Sequence, residues 1–250
     1  MRKGGFTLIE LLAVIAILAV LSTVGIGVAF KVYRNSSLVV SANNIRQLAA
    51  GGVSYLAENN NTFWPYRQVD PANGSGVTWW FGFEPIESVN RPEGQRDFNP
   101  ALGPLGGYIP KGIAPDPSLT LGGKTFKPKF RHGYIGTGYN VLLGGGFLGN
   151  LSLKNQGQLA DPSKVVVFFS SAQVNTFQRP ASARNPMVEE FYGVDEKERT
   201  IHFRHAGKAM VSFADGNAGF LEMDESTRDQ RMPKANIGRF APVGNRKYLE

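Results

Sequence analysis

Residues 1–30 read MRKGGFTLIELLAVIAILAVLSTVGIGVAF and decide the fold of the N-terminal part of the chain. A basic leader ends at Gly5, and the 20 residues from Leu11 to Phe30 carry no charge. At about 1.5 Å per residue, a helix of this length spans roughly 30 Å, the thickness of a bilayer core. Glu10 precedes the run, although an ionisable group costs about 2.5–3.5 kcal/mol at the centre of a membrane helix and less near its end. The stretch predicts a membrane helix whose single acid needs a partner.

The helical pattern continues beyond this segment. Apolar or small residues recur in alternating steps of four and three, which defines one face of an α-helix: Leu38, Ala42, Ile45, Ala49, Gly52 and Leu56. The polar residues between them, including Ser41 and Asn44, are expected on the opposite, free side. Asparagine leaves helical geometry easily, so Asn59–Asn61, followed by Pro65, predicts the end of the helix near Glu58.

Composition limits the class of the remaining domain. The net charge of +7 comes from lysines and arginines scattered along the chain, so no nucleic-acid partner is predicted. The chain has no cysteine, so packing, hydrogen bonds or a bound ion must hold the domain together. About 190 residues follow the helix, which is enough for a sizeable core.

The segment from Thr62 to about Arg131 is rich in glycine, proline and aromatic residues. This composition indicates loops and short strands rather than helices. The pair Trp79-Trp80 is typical of buried anchors in such loops, and a carbohydrate platform is the alternative interpretation.

From Gly133 the pattern favours β-strands. Tyr139–Leu143 is a short apolar run, and Lys164–Phe169 reads KVVVFF, a pattern that suits a strand buried on both faces. Met210–Phe213 and Ala218–Leu221 predict a hairpin around Asp215-Gly216, a dipeptide suited to a type I′ turn. The predicted fold class is α+β, with the long N-terminal helix packed on a C-terminal antiparallel sheet.

Residues 5–12, GFTLIELL, closely resemble the signature of type IV prepilins and type II secretion pseudopilins. The resemblance implies a pilin-like fold, cleavage between Gly5 and Phe6 by a prepilin peptidase, and N-methylation of Phe6. It also implies that Glu10 pairs with the freed terminal amine of a neighbouring subunit, or with its own during docking. Such an amine would supply a partner for the Glu10 carboxylate.

The same resemblance implies where the protein acts. It predicts a single-pass inner-membrane protein with a cytoplasmic N-terminus before processing, a periplasmic or extracellular domain, and final assembly into a filament. Its partners would be the peptidase, other pilin or pseudopilin subunits, an inner-membrane assembly platform and membrane lipid. A secretory signal peptide, whose apolar core has about 7–15 residues, and a plain uncleaved anchor are the alternatives.

A second resemblance lies near the C-terminus. The segment from His205 to Gly216 matches the H-x9-DG pattern of a large group of prepilin-like proteins, and Gly138–Asn140 and Asp161–Ser163 resemble further landmarks of that group. The resemblance assigns no chemical role to His205, Asp215 or Gly216. Because His205 and Asp215 flank one strand, they are expected to lie apart, with Asp215 stabilising its turn and His205 bonding to a nearby loop.

Metal and catalytic sites are not predicted. His202 and His205, completed by His132 or Asp215, would need a turn between the two histidines to bind a metal. Calcium is the weaker alternative, on the acid-rich short stretch of Asp224, Glu225 and Asp229. Residues 144–149 match GxGxxG without a strand–turn–helix context, so a glycine-rich loop is expected there. No nucleophile or metalloprotease motif occurs, so an enzyme is not predicted.

The sequence therefore predicts four parts: a leader (1–5), a transmembrane and assembly helix (6–30), its amphipathic continuation (31–61) and an exported β domain (62–250). The predicted function is a structural subunit, a pilin or pseudopilin of a type IV pilus or a type II secretion-like filament, without cofactors. The alternative is a membrane-tethered domain that binds a glycan or another ligand and does not polymerise.

Overall fold

The computed structural model describes residues 8–70, 76–119, 125–131, 135–241 and 246–249. The chain divides into two compact units, Met1–Val39 and Val40–Glu250. The predicted processing residues Gly5 and Phe6 lie outside the described residues, as does His132. Within the described ranges, no helix is both long enough and apolar enough to cross a membrane.

The first helix, α1 (Leu8–Glu58), ends where the sequence predicts. Asn60 and Asn61 have φ angles of 52° and 56°, in the left-handed region that asparagine tolerates better than most residues. The Asn61 N–H donates to the Leu56 carbonyl at 2.8 Å and satisfies one of the last carbonyls of the helix. The asparagine run is thus the C-terminal stop of α1.

The predicted apolar face of α1 is largely confirmed in the second unit. Four of its members are buried: Ile45, Ala49, Gly52 and Leu56. Leu48, which the pattern omits, is also buried, whereas Ala42 is half-buried and Leu38 is exposed. A Cβ atom added at Gly52 would lie 2.9 Å from a ring atom of Trp64, so this face carries small residues where the core approaches most closely.

The predicted polar side of α1 is wrong for two residues. Ser41 and Asn44 are buried because a loop brings polar partners to them. Asn44 Nδ2 donates to the Ala114 carbonyl at 2.7 Å, and Ser41 Oγ donates to Asp116 Oδ1 at 2.8 Å. Buried polar groups persist when they are hydrogen-bonded in this way.

The described strands form three sheets. The first is antiparallel and has the order β1 (Arg67–Asp70), β2 (Gly76–Trp79), β3 (Gly82–Pro85). A second small sheet has the order β4-β8-β7, from β4 (Phe126–Lys127), β7 (Gln173–Asn175) and β8 (Met187–Glu189), and its β4 and β8 run parallel.

The central sheet has seven strands in the order β10-β13-β12-β11-β6-β5-β9. Its strands are β5 (Thr137–Asn140), β6 (Val166–Ser170), β9 (Gly193–Val194), β10 (Ile201–His202), β11 (Lys208–Phe213), β12 (Ala218–Asp224) and β13 (Ile237–Phe240). Neighbours are antiparallel except β5 and β9. The α+β class is confirmed, and the sheet is predominantly antiparallel.

Short helical elements interrupt the loops. The α-helices are α2 (Ile86–Val89) and α3 (Arg246–Leu249), and 3-10 turns occur at Pro100–Leu102, Gln156–Gln158, Glu225–Thr227 and Pro233–Ala235. In the described part of 62–131, the prediction of loops and short strands is therefore correct apart from α2, the 3-10 turn at Pro100–Leu102 and a 3-10 conformation at Thr125. The predicted strand Tyr139–Leu143 has the wrong C-terminal end: β5 ends at Asn140, and Val141–Gly145 form turns.

Aromatic packing joins the second half of α1 to the central sheet. The Tyr55 ring of α1 meets the Trp64 ring edge-on at 5.3 Å. The Trp64 ring in turn stacks on Tyr139 and Phe168 with centroid distances of 5.1 and 5.6 Å. On the other face of β6, Val166 and Phe169 belong to a separate buried cluster. The prediction that KVVVFF forms a strand buried on both faces is confirmed for Val166–Phe169, whereas Lys164 and Val165 precede the strand and Lys164 is exposed.

Candidate functional site

The N-terminal end of α1 presents an apolar surface in the single chain. Every side chain from Leu8 to Thr23 is exposed, with Leu8 at 82% and Ile9 at 75%. Glu10 lies exposed in the first described turn, where a carboxylate interacts favourably with the helix dipole. Contiguous apolar surfaces of this kind mark contacts with lipid or with other protein chains.

Two hydroxyl groups on this surface are bonded within the helix. Ser22 Oγ donates to the Leu18 carbonyl at 2.7 Å, and Thr23 Oγ1 donates to the Val20 carbonyl at 2.8 Å. Polar groups satisfied in this way do not require water. The charge of Glu10 distinguishes that residue from the hydroxyl groups on the same surface.

The predicted hairpin around Asp215-Gly216 is confirmed, but its turn differs from the predicted type I′. Gly216 alone of the pair Asp215-Gly216 has a positive φ, 88°. Its N–H donates to the Phe213 carbonyl at 3.0 Å, and the Phe213 N–H donates to the Asn217 carbonyl at 2.8 Å. This is a three-residue loop with a left-handed glycine. Asp215 Oδ1 accepts the Asn217 N–H at 3.0 Å, so its predicted turn-stabilising role is confirmed.

A tight two-residue turn lies instead at the other end of β11. Ala206 and Gly207 both have positive φ angles, and the backbones of His205 and Lys208 exchange two hydrogen bonds of 3.0 and 3.1 Å. That is the type I′ geometry. His205 and Asp215 lie at opposite ends of β11, as predicted.

The side chain of His205 is in an apolar setting. Its ring meets Phe220 edge-on at 6.3 Å, and its Nε2 is buried without a hydrogen-bond partner among the described residues. The predicted bond to a nearby loop is therefore not made by this nitrogen. Burial and the charge of Arg204 lower the pKa of His205 to about 4, so the ring is neutral near pH 7.

Arg204, next to His205, anchors a buried network that sequence patterns do not reveal. Its Nη2 donates to Asp116 Oδ2 and to the Gly136 carbonyl, both at 2.6 Å, and its Nε donates to Ser118 Oγ at 3.1 Å. Asp116 also accepts the Ser41 hydroxyl. The network links α1, the loop carrying Asp116 and the segment just before β11.

The Arg204–Asp116 ion pair is almost inaccessible, with side-chain exposures of 5% and 3%. Burial favours the neutral acid, but the Arg204 charge and hydrogen bonds from Ser118, Arg204 and Ser41 outweigh it and hold the pKa of Asp116 below its usual value. No local sequence signal joins these residues, because Arg204 lies 88 positions from Asp116.

The described residues contain no group of three or more His, Cys, Asp or Glu side chains arranged to hold a metal ion. His202 is buried, and its Nδ1 accepts from Arg204 Nη1 at 3.3 Å. Burial and the charge of Arg204 lower the pKa of His202 well below its ordinary value.

The carboxylates of the calcium alternative bind groups of the protein itself. Asp224 Oδ1 caps a 3-10 turn by accepting the Ser226 N–H at 3.1 Å. Glu225 pairs with Arg228, and Asp229 pairs with Arg231 Nη2 at 2.6 Å.

A second buried cluster of charges was also missed by the sequence patterns. Glu84 binds Arg96 through both carboxylate oxygens, at 2.6 and 2.7 Å. Lys127 Nζ donates to Glu189, its partner across β4 and β8, and to Glu93 at 3.2 Å. Two amides also donate to Glu189: Gln173 Nε2 and Asn175 Nδ2. The cluster joins the first sheet region to the β4-β8-β7 sheet.

Glu190 lies beside this cluster in a different setting. Burial raises the pKa of Glu190 to about 7, and the charge of Glu189 adds to this rise. Hydrogen bonds from the Tyr192 hydroxyl and the Lys129 N–H, together with the charge of Lys129, act in the opposite direction. The Tyr192 hydroxyl lies 2.5 Å from Oε2, and the Lys129 nitrogen lies 3.2 Å from Oε1. The neutral carboxyl is therefore the preferred form in the folded protein below about pH 7.

We expect Glu190→Gln to remove a pH-dependent loss of stability. The folded pKa of about 7 exceeds the ordinary 4.5, so wild-type stability falls as pH rises between these values. Glutamine mimics the neutral acid, since its oxygen can accept from Lys129 and its amide can donate to Tyr192. The variant should match the wild type near pH 4.5 and be more stable by about 3 kcal/mol at pH 8. Urea denaturation across this pH range measures the difference. Glu198→Gln, at an exposed site, should leave the pH profile unchanged.

Trp79 and Trp80 pack into the core and do not form an open platform of the kind that binds carbohydrate. Trp80 is buried and its Nε1 donates to the Tyr192 carbonyl at 2.8 Å. Trp79 is half-buried: its ring is nearly parallel to that of Phe81 at 6.0 Å, and the Arg67 guanidinium lies over it at 5.6 Å. The prediction of buried anchors is confirmed for Trp80 and partly for Trp79.

The other sequence landmarks have structural roles. Asn140 Nδ2 donates to the carbonyls of Val166 and Leu249, at 2.9 and 3.0 Å, and so ties β5 to β6 and α3. Asp161 Oδ1 accepts the Ser163 N–H at 3.1 Å in the turn before β6. Residues 144–149 form turns, with positive φ at three glycines, as the loop interpretation predicts.

The family model for the prokaryotic N-terminal methylation motif matches residues 1–26. This range includes the leader, Phe6 and Glu10. The match supports a prepilin-type protein, and it points to processing and assembly of the type IV pilin or pseudopilin kind. No curated protein and no solved structure matches the chain.

Proposed function

We propose that this chain is a structural subunit of a type IV pilus or of a type II secretion-like filament. Prepilin peptidase cleaves it between Gly5 and Phe6 and methylates Phe6. The processed helix first anchors the subunit in the inner membrane through one pass, and it then packs against the helices of other subunits at an assembly platform. The β domain forms the outer surface of the filament.

The observation that carries this proposal is the methylation motif over residues 1–26 combined with the apolar, exposed helical segment from Leu8 to Thr23 that lies within it. Exposure of leucine, isoleucine and valine to water is unfavourable, because removing apolar surface from water stabilises a structure by roughly 25 cal/mol per Å². Lipid covers this surface before assembly, and identical helices cover it in the filament.

The second unit supports a structural role through its core. Buried aromatic rings and two buried ion-pair networks rigidify a domain without cysteines. The motif residues His205, Asp215 and Gly216 shape the two turns that bound β11, and the proposal gives them no catalytic role. In the same proposal, the H-x9-DG pattern near the C-terminus places the chain in a subgroup of prepilin-like proteins.

Processing tests the proposal directly. Co-expression with a prepilin peptidase should yield a mature chain that begins at Phe6 and carries one additional methyl group. Intact-mass measurement and N-terminal sequencing read both changes. Gly5→Leu places a bulky side chain at the scissile bond and should lower the rate of cleavage at least tenfold, which corresponds to about 1.4 kcal/mol in the barrier.

Gly4→Ala is the matched control, since it changes the leader one residue away from the cleaved bond. It should be processed like the wild type. A working form that keeps Met1, or one whose terminus lies well beyond Phe6, would contradict the proposed processing.

A further inference from the structure

The second unit contains an apolar cavity of about 320 Å³. Leu48 of α1 forms one wall, and the rings of Trp80, Phe81 and Phe98 form another. An apolar cavity of about 150 Å³ binds benzene and stays dry, so one of roughly twice that volume accommodates two fused rings or an alkyl chain of similar bulk. Ligand pockets begin at about this size.

The loop that lines the cavity is held at both ends. At its start, Asn99 and Phe83 exchange backbone hydrogen bonds of 2.8 and 2.9 Å. At its end, the Ala114 carbonyl accepts from Asn44, and Asp116 accepts from Ser41 and pairs with Arg204. The cavity wall is therefore anchored to both the first sheet and α1, and a ligand would bind with little loss of loop entropy.

The aromatic wall is fixed as well. Phe81 meets Phe98 edge-on at 4.9 Å, and its ring is tilted against that of Tyr192 at 4.6 Å. Trp80 Nε1 donates to the Tyr192 carbonyl. Because these rings hold one another in place, the cavity is not closed by a simple side-chain rotation.

One charge lies in this apolar lining. Of the lining residues that the structure describes, Lys111 alone is charged, and its side chain is exposed. No ion pair joins Lys111 to a residue of the described ranges. Gly112, beside it, has a φ of 66°, and a Cβ there would come within 3.0 Å of Pro100.

We propose that this cavity binds a small apolar carboxylate, with the hydrocarbon part between Leu48 and the aromatic wall and the carboxylate at Lys111. The apolar lining favours rings or alkyl chains over sugars, which would leave hydroxyl groups unpaired. The lysine selects an anion over the corresponding neutral molecule. This site is independent of the exposed helix that serves assembly.

The test uses the full chain in phospholipid nanodiscs, labelled with ¹³C at the isoleucine δ1 methyl groups. The probes are 2-naphthoate and its neutral isostere 2-naphthamide. We expect saturable shifts of the lining methyls of Ile109, Ile113 and Ile135 with 2-naphthoate, and little shift at Ile201 or Ile237, which belong to other buried clusters. Empty nanodiscs correct for partitioning of the probes into lipid.

Two pairs of variants define the site. Lys111→Glu should weaken 2-naphthoate binding about tenfold and leave 2-naphthamide unchanged, whereas Lys154→Glu, at an exposed lysine outside the lining, should change neither. Ile113→Trp should fill the cavity and abolish binding of both probes, and Leu102→Trp, exposed on the same loop, should not.

Two results would overturn the proposal. The first is the absence of saturable shifts at the lining methyls. The second is that 2-naphthoate and 2-naphthamide bind with equal affinity and that Lys111→Glu changes neither affinity. Because neither measurement depends on filament formation, the binding site can fail while the assembly proposal stands.

Discussion

Glu10→Ala and Glu10→Gln are expected to leave membrane insertion intact and to reduce incorporation of the subunit into filaments by at least tenfold. The proposed contact is a charge-assisted hydrogen bond between the Glu10 carboxylate and a terminal amine at Phe6. Such bonds contribute about 1.5–3 kcal/mol, and each 1.4 kcal/mol changes an equilibrium constant tenfold. The loss is repeated at every subunit contact, so the effect on a filament is large. Membrane fractionation and electron microscopy of sheared filaments measure the two outcomes.

Ser22→Ala is the matched control for Glu10. It removes a polar side chain from the same exposed surface, but one that is bonded to its own helix at Leu18. Assembly of this variant should be normal. Normal filaments from Glu10→Ala would show that the carboxylate has another use, and the proposed pairing with the amine would be lost.

Arg204→Met is expected to destabilise the second unit by about 3–5 kcal/mol, because Asp116 would remain buried without its cation. The pKa of Asp116 lies below the ordinary 3.8, so the contribution of the pair is complete above that pH. This contribution is lost as the pH falls through the lowered pKa that Asp116 has in the folded protein. Urea denaturation of the full chain at pH 7 and at successively lower pH values measures both effects.

Arg91→Met provides the comparison. Arg91 pairs with Asp97 at 3.1 Å, but the side chains are 43% and 36% exposed, so the cost should stay below about 1 kcal/mol. The double variant Asp116→Asn/Arg204→Met removes both charges and should recover part of the loss. Equal costs for Arg204→Met and Arg91→Met would contradict the assignment of a buried pair that links the helix to the sheet.

The candidate sites differ in how far the sequence predicts them. The exposed N-terminal helix, its acid and the methylation motif lie within one contiguous segment, so periodicity and a short signature are sufficient. The Arg204–Asp116 pair and the apolar cavity are assembled from distant segments. The cavity combines Leu48 of α1 with a loop near Lys111 and the residue Ile135. No sequence spacing encodes such an arrangement.

The predictions that are wrong likewise concern features that depend on the folded structure rather than on local sequence. The hairpin lies where the sequence predicts it, because alternating apolar residues and Asp215-Gly216 are local signals, but its turn is not of the predicted type I′. The two-residue turn lies at Ala206-Gly207, where alanine adopts a φ of 52° that its intrinsic preference disfavours. Backbone hydrogen bonds between His205 and Lys208 hold that conformation in the folded sheet.

By itself, the sequence determined the long helix and its end at Asn59–Asn61, the doubly buried strand β6 and the prepilin-type N-terminus. These depend on local backbone preference and on the period of apolar side chains. Only the tertiary structure decided that Ser41 faces Asp116, 75 residues away, and that Arg204 neutralises this acid from 88 residues away. Burial of polar and charged groups depends on which partners packing brings within hydrogen-bond distance, and that is a property of the whole fold.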